Sequence, residues 1–473
     1  MNACSVFVDV KYRVCYTCGV IVKGVIHVKK LLAMLLLLAM IVPGAAAEKQ
    51  PIPGIFAFTQ EKQPREELRG NFYIQRTYPV TTNQQVNEEM HAVVDSLAEK
   101  SRAYIPTGKA QKDKSYMRVG ASVSRTGQSW MSFLTVAAIK HEYEQVHVDY
   151  DARVYDLATG TPLTMADLFA NDSQGWEIMA RAVREQLQDY FPQNDCEEEK
   201  LAQLCSYEQL QHTPFTLTGG SLRLHFRADS LYPGRNTLMH VRILYSDIRP
   251  HMLEEAQRQT DNSAYKLAAL TFDDGPAHFA SISTVETLMK HGADATFFLV
   301  GNMMAKGHYV MAYEHDLGYP LAYHSYEHMT EGLGIDTCIP AEWEKFSLEI
   351  GEITGKVPSI MRAPGGNEAP FIQMKIGLPL IHWSVSAGDG TGNRAYDAND
   401  RRIIAGNVGI GAQDGAVILM HDLRPACYQY LDLALEKLEE RGFLCVTVEE
   451  LFDAYGVKLQ PNIRYNGAED YVP

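Results

Sequence analysis

The sequence predicts an α/β chain in which a parallel sheet or barrel, beginning near Lys266, follows a smaller α+β region. Three observations carry this reading. After Lys266 the short apolar runs LAALTF, ATFFLV and AVILMH alternate with helical stretches, as βα units do. Between about residues 70 and 258 the pattern is mixed, and segments 144–155 and 221–226 read as half-buried strands. One helix stands between them: Asp172 or Ser173 can cap it, and Trp176, Met179, Ala180, Val183, Leu187 and Tyr190 recur at helical spacing.

At the N-terminus, the apolar run from Leu31 to Val42 follows Lys29 and Lys30 and ends in Pro43, Gly44, Ala45, Ala46 and Ala47. This is the pattern of a secretory signal peptide with a small-residue cleavage site. The uninterrupted apolar sequence from 31 to 47 falls short of the roughly 20 residues a spanning helix needs, so membrane contact is expected only if this segment stays uncleaved. Residues 1–28 form an atypical extension with Cys4, Cys15 and Cys18 and no periodic pattern, and translation is expected to begin near Val28. Residues 48–258 are then an accessory α+β domain, 259–265 a linker, 266–460 the second domain and 461–473 a tail. The polar stretch 254–264, EEAQRQTDNSA, lacks apolar periodicity and marks the junction.

The net charge is −15, and residues 1–47 carry five Lys or Arg against one acid, so the exported chain would stand at −19. Such a surface repels phosphate backbones, and nucleic acid is not an expected partner. Five cysteines follow residue 47: Cys196, Cys205, Cys338, Cys427 and Cys445. None has metal-site spacing; Cys196 and Cys205 are a candidate disulfide, and Cys427 and Cys445 read as buried small hydrophobes.

The chemistry gathers after Lys266. The strand 267–272 runs into Asp273, Asp274, Gly275 and Pro276, which puts two carboxylates at its C-terminal end, where α/β folds collect their sites. An ordinary Asp-Gly turn is the bland alternative. His324 and His328 form an i, i+4 pair whose spacing can bring two imidazoles to one face of a helical turn for a metal. His278 and His382 lack spaced partners and read as structural.

The ordered series TFDDGP (271–276), HSYEH (324–328), RAPGG (362–366), GDG (388–390) and LMH (419–421) resembles the five motifs of the NodB-homology polysaccharide deacetylases, carbohydrate esterase family four. The phrase YDLATGTPLTMADLF (155–169) and LYPG (231–234) resemble, more weakly, an accessory domain of unknown function found ahead of some peptidoglycan deacetylases. The main resemblance implies a distorted (β/α) barrel. It implies a divalent metal, zinc first and cobalt, manganese or nickel as alternatives, on Asp274, His324 and His328. Asp273 becomes the general base, His421 the general acid, Arg362 the residue that orients the base, and Asp389 the one that holds the acid histidine. By the same resemblance the Gly365 N–H completes an oxyanion hole and Leu419 lines an acetyl-methyl pocket.

Two histidines and one carboxylate leave coordination positions open for water and substrate, and the second acid is free to take a proton. The sequence departs from the family pattern at Tyr323, Gly365, Ser386 and Gly390, where asparagine, tyrosine, aspartate and tryptophan are usual, which alters the sugar groove and leaves the hydrolytic set intact. The expected function is N-deacetylation of an amino-sugar polymer, peptidoglycan or a chitin-like glycan, by a secreted or cell-surface enzyme. O-deacetylation of another polysaccharide and glycan binding without turnover are the competing readings.

Overall fold

The computed structural model describes residues 58–471 apart from 69, 109–114, 195, 329–334, 374–375, 391–395 and 425, with 335–338 and 372–373 described as backbone only. The signal-peptide pattern and Cys4, Cys15 and Cys18 lie outside these residues. By packing, residues 51–473 form one compact unit. Among the described residues no helix is long and apolar enough to cross a membrane.

The N-terminal region is built on a seven-stranded sheet ordered Phe58–Lys62, Tyr73–Thr81, Ser115–Arg125, Trp130–His141, Glu144–Asp156 and Thr161–Leu163, with Glu66–Glu67 paired to Tyr73–Thr81. Both faces of its central strand are buried, which is why WMSFLTVAAIK reads as one apolar run rather than as an alternation. Phe133, Ala137 and Ile139 pack with the helix Gln84–Ser101, whose Val86, Met90, Val94 and Leu97 face them. Leu134, Val136 and Ala138 turn the other way, into a core shared with Val285, Leu288, Tyr309 and Tyr313 of the C-terminal region.

A three-stranded antiparallel sheet, Leu238–Leu244, Ser221–Arg227 and Phe215–Leu217, carries the helix Gly175–Gln188. The expected apolar stripe buries Trp176, Met179, Val183 and Leu187 there, and Ser173 Oγ accepts from the Gly175 N–H at 3.1 Å near the helix start. The strand expected to be half-buried at 221–226 is buried on both faces. Its polar side is consumed internally: Arg223 bonds Glu450 at 2.7 Å and Asp294 at 3.1 Å, both from the C-terminal region. Cys196 and Cys205 are free thiols. The helix Glu198–Leu204 stands between them, a rise of about 10 Å, whereas a disulfide tolerates roughly 7 Å between Cα atoms.

Residues 254–259 of the polar junction form a short helix with Ala256 in the same core as Trp176 and Met179, and 260–265 lead into the strand Lys266–Asp273. From there the sheet is parallel, ordered Leu321–Tyr323, Thr296–Leu299, Lys266–Asp273, Ala416–His421 and Val385–Ser386, with Phe443–Val446 beside the start of Lys266–Asp273. Bridges from Tyr323 to Met361 and from Met361 to Leu380 extend it, curling the sheet into the irregular barrel expected. The strand period of two sorts its side chains: Leu267 and Ala269 fill the lumen with Ala322, Ile360, Ile381 and Val417, while Ala268, Leu270 and Phe272 face the surrounding helices.

Candidate metal and catalytic centre

Strand register assembles the site. Asp273 lies opposite His421 in the parallel pair Lys266–Asp273/Ala416–His421, and the strand Leu321–Tyr323 ends directly before His324. The motif residues thus come out on one rim, the C-terminal ends of the strands.

His324 and His328 are not on a helix, contrary to the i, i+4 reading. They sit in the bend after Leu321–Tyr323, where Ser325 and His328 take left-handed φ of 63° and 55°. Such a backbone costs free energy in non-glycine residues and persists where surrounding contacts fix it. Here Ser325 Oγ accepts from the His328 N–H at 2.9 Å, and Glu342 accepts from the Tyr326 N–H at 3.0 Å. Asp274 is also left-handed, φ 74°, which turns its carboxylate away from the direction of Asp273.

One ligand atom each from Asp274, His324 and His328 falls within 4.8 Å of the others. Asp274 Oδ1 is 3.0 Å from His328 Nε2 and 3.4 Å from His324 Nε2, yet it is buried without a hydrogen bond. Burial opposes its charge, but the two imidazoles hold the Asp274 carboxyl well below the usual carboxylate range. His324 Nδ1 lies 2.8 Å from the Arg362 carbonyl. That oxygen can only accept, so Nδ1 carries the proton and Nε2 offers its lone pair to the rim. An orphaned carboxylate oxygen beside an oriented imidazole lone pair fits a divalent cation, and these three residues are the candidate metal triad.

Asp273 belongs to a different network. Its Oδ1 accepts from Arg362 Nη1 at 2.6 Å, and Oδ2 stands 3.5 Å from His324 Nε2. Arg362, only 1% exposed, spends its other donors on Thr271 Oγ1 (2.8 Å) and the carbonyls of Ile381 (2.9 Å) and His382 (2.8 Å), over the Phe298 ring. The guanidinium is locked, so the carboxylate it holds has one orientation.

On the other flank His421 Nδ1 is 2.9 Å from Asp389 Oδ1, and Asp389 Oδ2 accepts from the His421 N–H at 2.9 Å and from Tyr430 Oη at 2.8 Å. Burial works against a charged His421, but the Asp389 hydrogen bond and the carboxylates of 389, 273 and 274 together raise its pKa to about 9. Leu419, two residues back on the same strand face, is buried below it. Gly365 takes a left-handed φ of 60°, and its N–H makes no hydrogen bond among the described residues. Gly390 abuts His421: a Cβ there would lie 2.7 Å from His421 Cε1, so a larger residue would need the ring or the loop to shift.

Sequence reasoning missed Tyr430, Tyr396 and Glu342. Tyr430 and the Tyr396 hydroxyl, which donates to the Asp389 carbonyl, brace Asp389 from positions outside every motif. His278 and His382 are absent from the triad, and His382 stacks on Trp383 with ring centroids 3.8 Å apart.

A parallel α/β barrel with a candidate metal triad, a clamped carboxylate and a carboxylate-held imidazole at its strand ends has the arrangement of a candidate hydrolytic centre. The family model described as polysaccharide deacetylase matches residues 260–373. A chitooligosaccharide deacetylase of Bradyrhizobium sp. is 30% identical over 173 residues, 35% of this chain and 74% of its own length. The peptidoglycan-N-acetylglucosamine deacetylase PgdA of Listeria monocytogenes is 27% identical over 315 residues, 66% of each chain, a match longer than the stretch from Lys266 to the C-terminus. A peptidoglycan-N-acetylglucosamine deacetylase of Bacillus cereus is 28% identical over 199 residues, 41% of this chain and 72% of its own. This chain spans 66% of the length of the Listeria relative. It belongs to the polysaccharide deacetylase family.

Proposed function

We propose that this protein hydrolyses N-acetyl groups from an amino-sugar polymer, peptidoglycan first, outside the cytoplasm. The observation that carries the reading is the division of the rim into a metal triad flanked by an Arg362-clamped Asp273 on one side and an Asp389-held His421 on the other. The compartment follows from the signal-peptide pattern of residues 29–47 and from where such polymers lie.

Asp274, His324 and His328 would hold a divalent ion, zinc by expectation, which supplies Lewis acidity to the acetamide carbonyl and makes water more acidic. Asp273 takes the proton of the attacking water, and Arg362 keeps the carboxylate aimed throughout. As negative charge develops on the carbonyl oxygen, the Gly365 N–H donates to it. His421, protonated below about pH 9, gives its Nε2 proton to the sugar nitrogen as the C–N bond breaks, and Asp389 holds Nδ1–H in place. The products are acetate and a free amine. Leu419 lines the wall on which the acetyl methyl rests.

Acetate release by residues 48–473 from purified peptidoglycan and from chitin oligomers, with added zinc, tests the reading beside a His324→Ala, His328→Ala double variant. Release from the N-acetyl glycan that is lost in the variant supports it. Release from O-acetyl xylan alone would replace it with the esterase reading, and glycan binding without acetate from any polymer would replace it with a binding module.

A further inference from the structure

A cleft of about 620 Å³ lies away from the rim. Leu321 and Ser359 line it, each three residues before a rim residue, His324 and Arg362. The cleft therefore opens at the opposite end of the barrel, about 10 Å of strand away. Its other wall comes from the N-terminal region, where the strand Leu238–Leu244 presents His240, Arg242 and Leu244 on one face by its period of two.

Two buried nitrogen atoms in this cleft, on His240 and Arg242, lack the partners that buried groups normally have, and the half-buried Lys356 stands beside them. His240 is 8% exposed; its Nδ1 is 2.8 Å from His225 Nδ1, and its Nε2 has no hydrogen bond. Arg242 donates through Nη1 to Glu449, but its Nε is buried and unmatched. Lys356 makes no ion pair among the described residues, and its ammonium lies 5.6 Å from the centre of the Tyr190 ring. Burial, and after it the nearby charge of Arg242, lowers the Lys356 pKa.

Lys356 is held there. Phe191 N–H donates to the Gly355 carbonyl at 2.6 Å, and Gly355, φ 79°, lies so close under Phe191 that a Cβ would meet its ring at 2.6 Å. The Lys356 N–H bonds Thr354 Oγ1 at 3.2 Å. Arg242, paired with Glu449 but with its Nε unmatched, and Lys356 are thus turned into one cleft, which Asp247 and Asp453 also line. Leu244, Pro320, Val357 and Leu459 supply the apolar wall.

We infer that this cleft is a second ligand site, which takes a small organic anion: a carboxylate or phosphoryl group between Lys356 and Arg242, with an apolar body against Leu244, Val357 and Leu459. The volume exceeds what a bare inorganic anion fills and suits a ligand of small-molecule size. Binding is read without turnover, so the site stands or falls apart from the hydrolytic assignment.

Titration calorimetry on the full chain with N-acetyl-alanyl-alanine, its C-terminal amide and glycerol phosphate tests this. Saturable binding is expected for at least one of the two acids, and which one saturates identifies the source of the anion. The amide should bind at least about tenfold more weakly than the peptide acid if the carboxylate is the ligand. Lys356→Gln should weaken the acid by a similar factor, and Lys356→Arg, which keeps the charge, should retain it. The inference is overturned if neither acid saturates by about 10 mM. It is also overturned if the amide matches a saturating peptide acid, or if a folded Lys356→Gln variant binds like the wild type.

Discussion

At the scale of single residues the centre depends on two carboxylates that are fixed from behind. Asp389 holds His421, and the raised His421 pKa of about 9 gives a pH prediction. A reaction that needs the His421 proton runs below that value and falls as pH rises through about 9. Asp389→Asn removes the charge that favours imidazolium, so the alkaline limb of kcat/KM should move down toward 6.5, the ordinary histidine value. An unmoved limb would take the acid role from His421. The same raised pKa adds stability that is fully present below pH 6.5 and is lost as pH rises through about 9. Arg362 is the counterpart on the other flank. Arg362→Met leaves Asp273 and two carbonyls unpaired in a dry site and should cost about 3–5 kcal/mol in denaturant unfolding. Asp273, Asp274, His324 and His421 were legible because each sits at or just beyond the end of a short apolar strand. Tyr430 was not, since no local spacing ties a helix tyrosine to an aspartate 41 residues away, and Tyr396, seven residues from Asp389, sits in no motif or periodic pattern.

At the scale of elements, the loop after Leu321–Tyr323 is the part the sequence described least well. The H-x-x-x-H spacing suggested a helical turn, but left-handed Ser325 and His328 bring the two rings to 5.2 Å between centroids instead. A histidine or serine at positive φ carries no periodic signature, so its conformation comes only from tertiary contacts. Glu342 is the visible one, capping the Tyr326 and Glu327 N–H groups from the helix Ile335–Thr354. Glu342→Ala should therefore weaken metal binding by roughly 10–100-fold while leaving the three donor residues in place, as competition with a chelator would report. The helix Gly175–Gln188 was readable throughout, because an apolar stripe with charges opposite is a purely local pattern. The strand Ser221–Arg227 was misread as half-exposed: its alternation is real, but Arg223 and His225 face buried partners rather than water.

At the scale of the whole molecule, the N-terminal sheet and the barrel share a core and a buried charge cluster. Leu134, Val136 and Tyr116 pack among Leu288, Met289 and Tyr309, and Arg223 joins Asp294 and Glu450 across the same boundary. A two-domain reading of composition cannot see this, since the faces concerned are apolar on both sides. Residues 51–473 should accordingly unfold in one transition, and residues 266–473 made alone should aggregate or melt far lower; two well-separated transitions would contradict the shared core. The central claim is that the metal triad and the base are separate devices on one rim. Metal content and acetate release, measured together on Asp273→Asn and Asp274→Asn, test it most directly. The account predicts that Asp273→Asn keeps about as much metal as the wild type and loses roughly 10²–10⁴ in rate, while Asp274→Asn loses the metal and the activity together. Loss of the metal from Asp273→Asn, or full activity in it, would contradict the account.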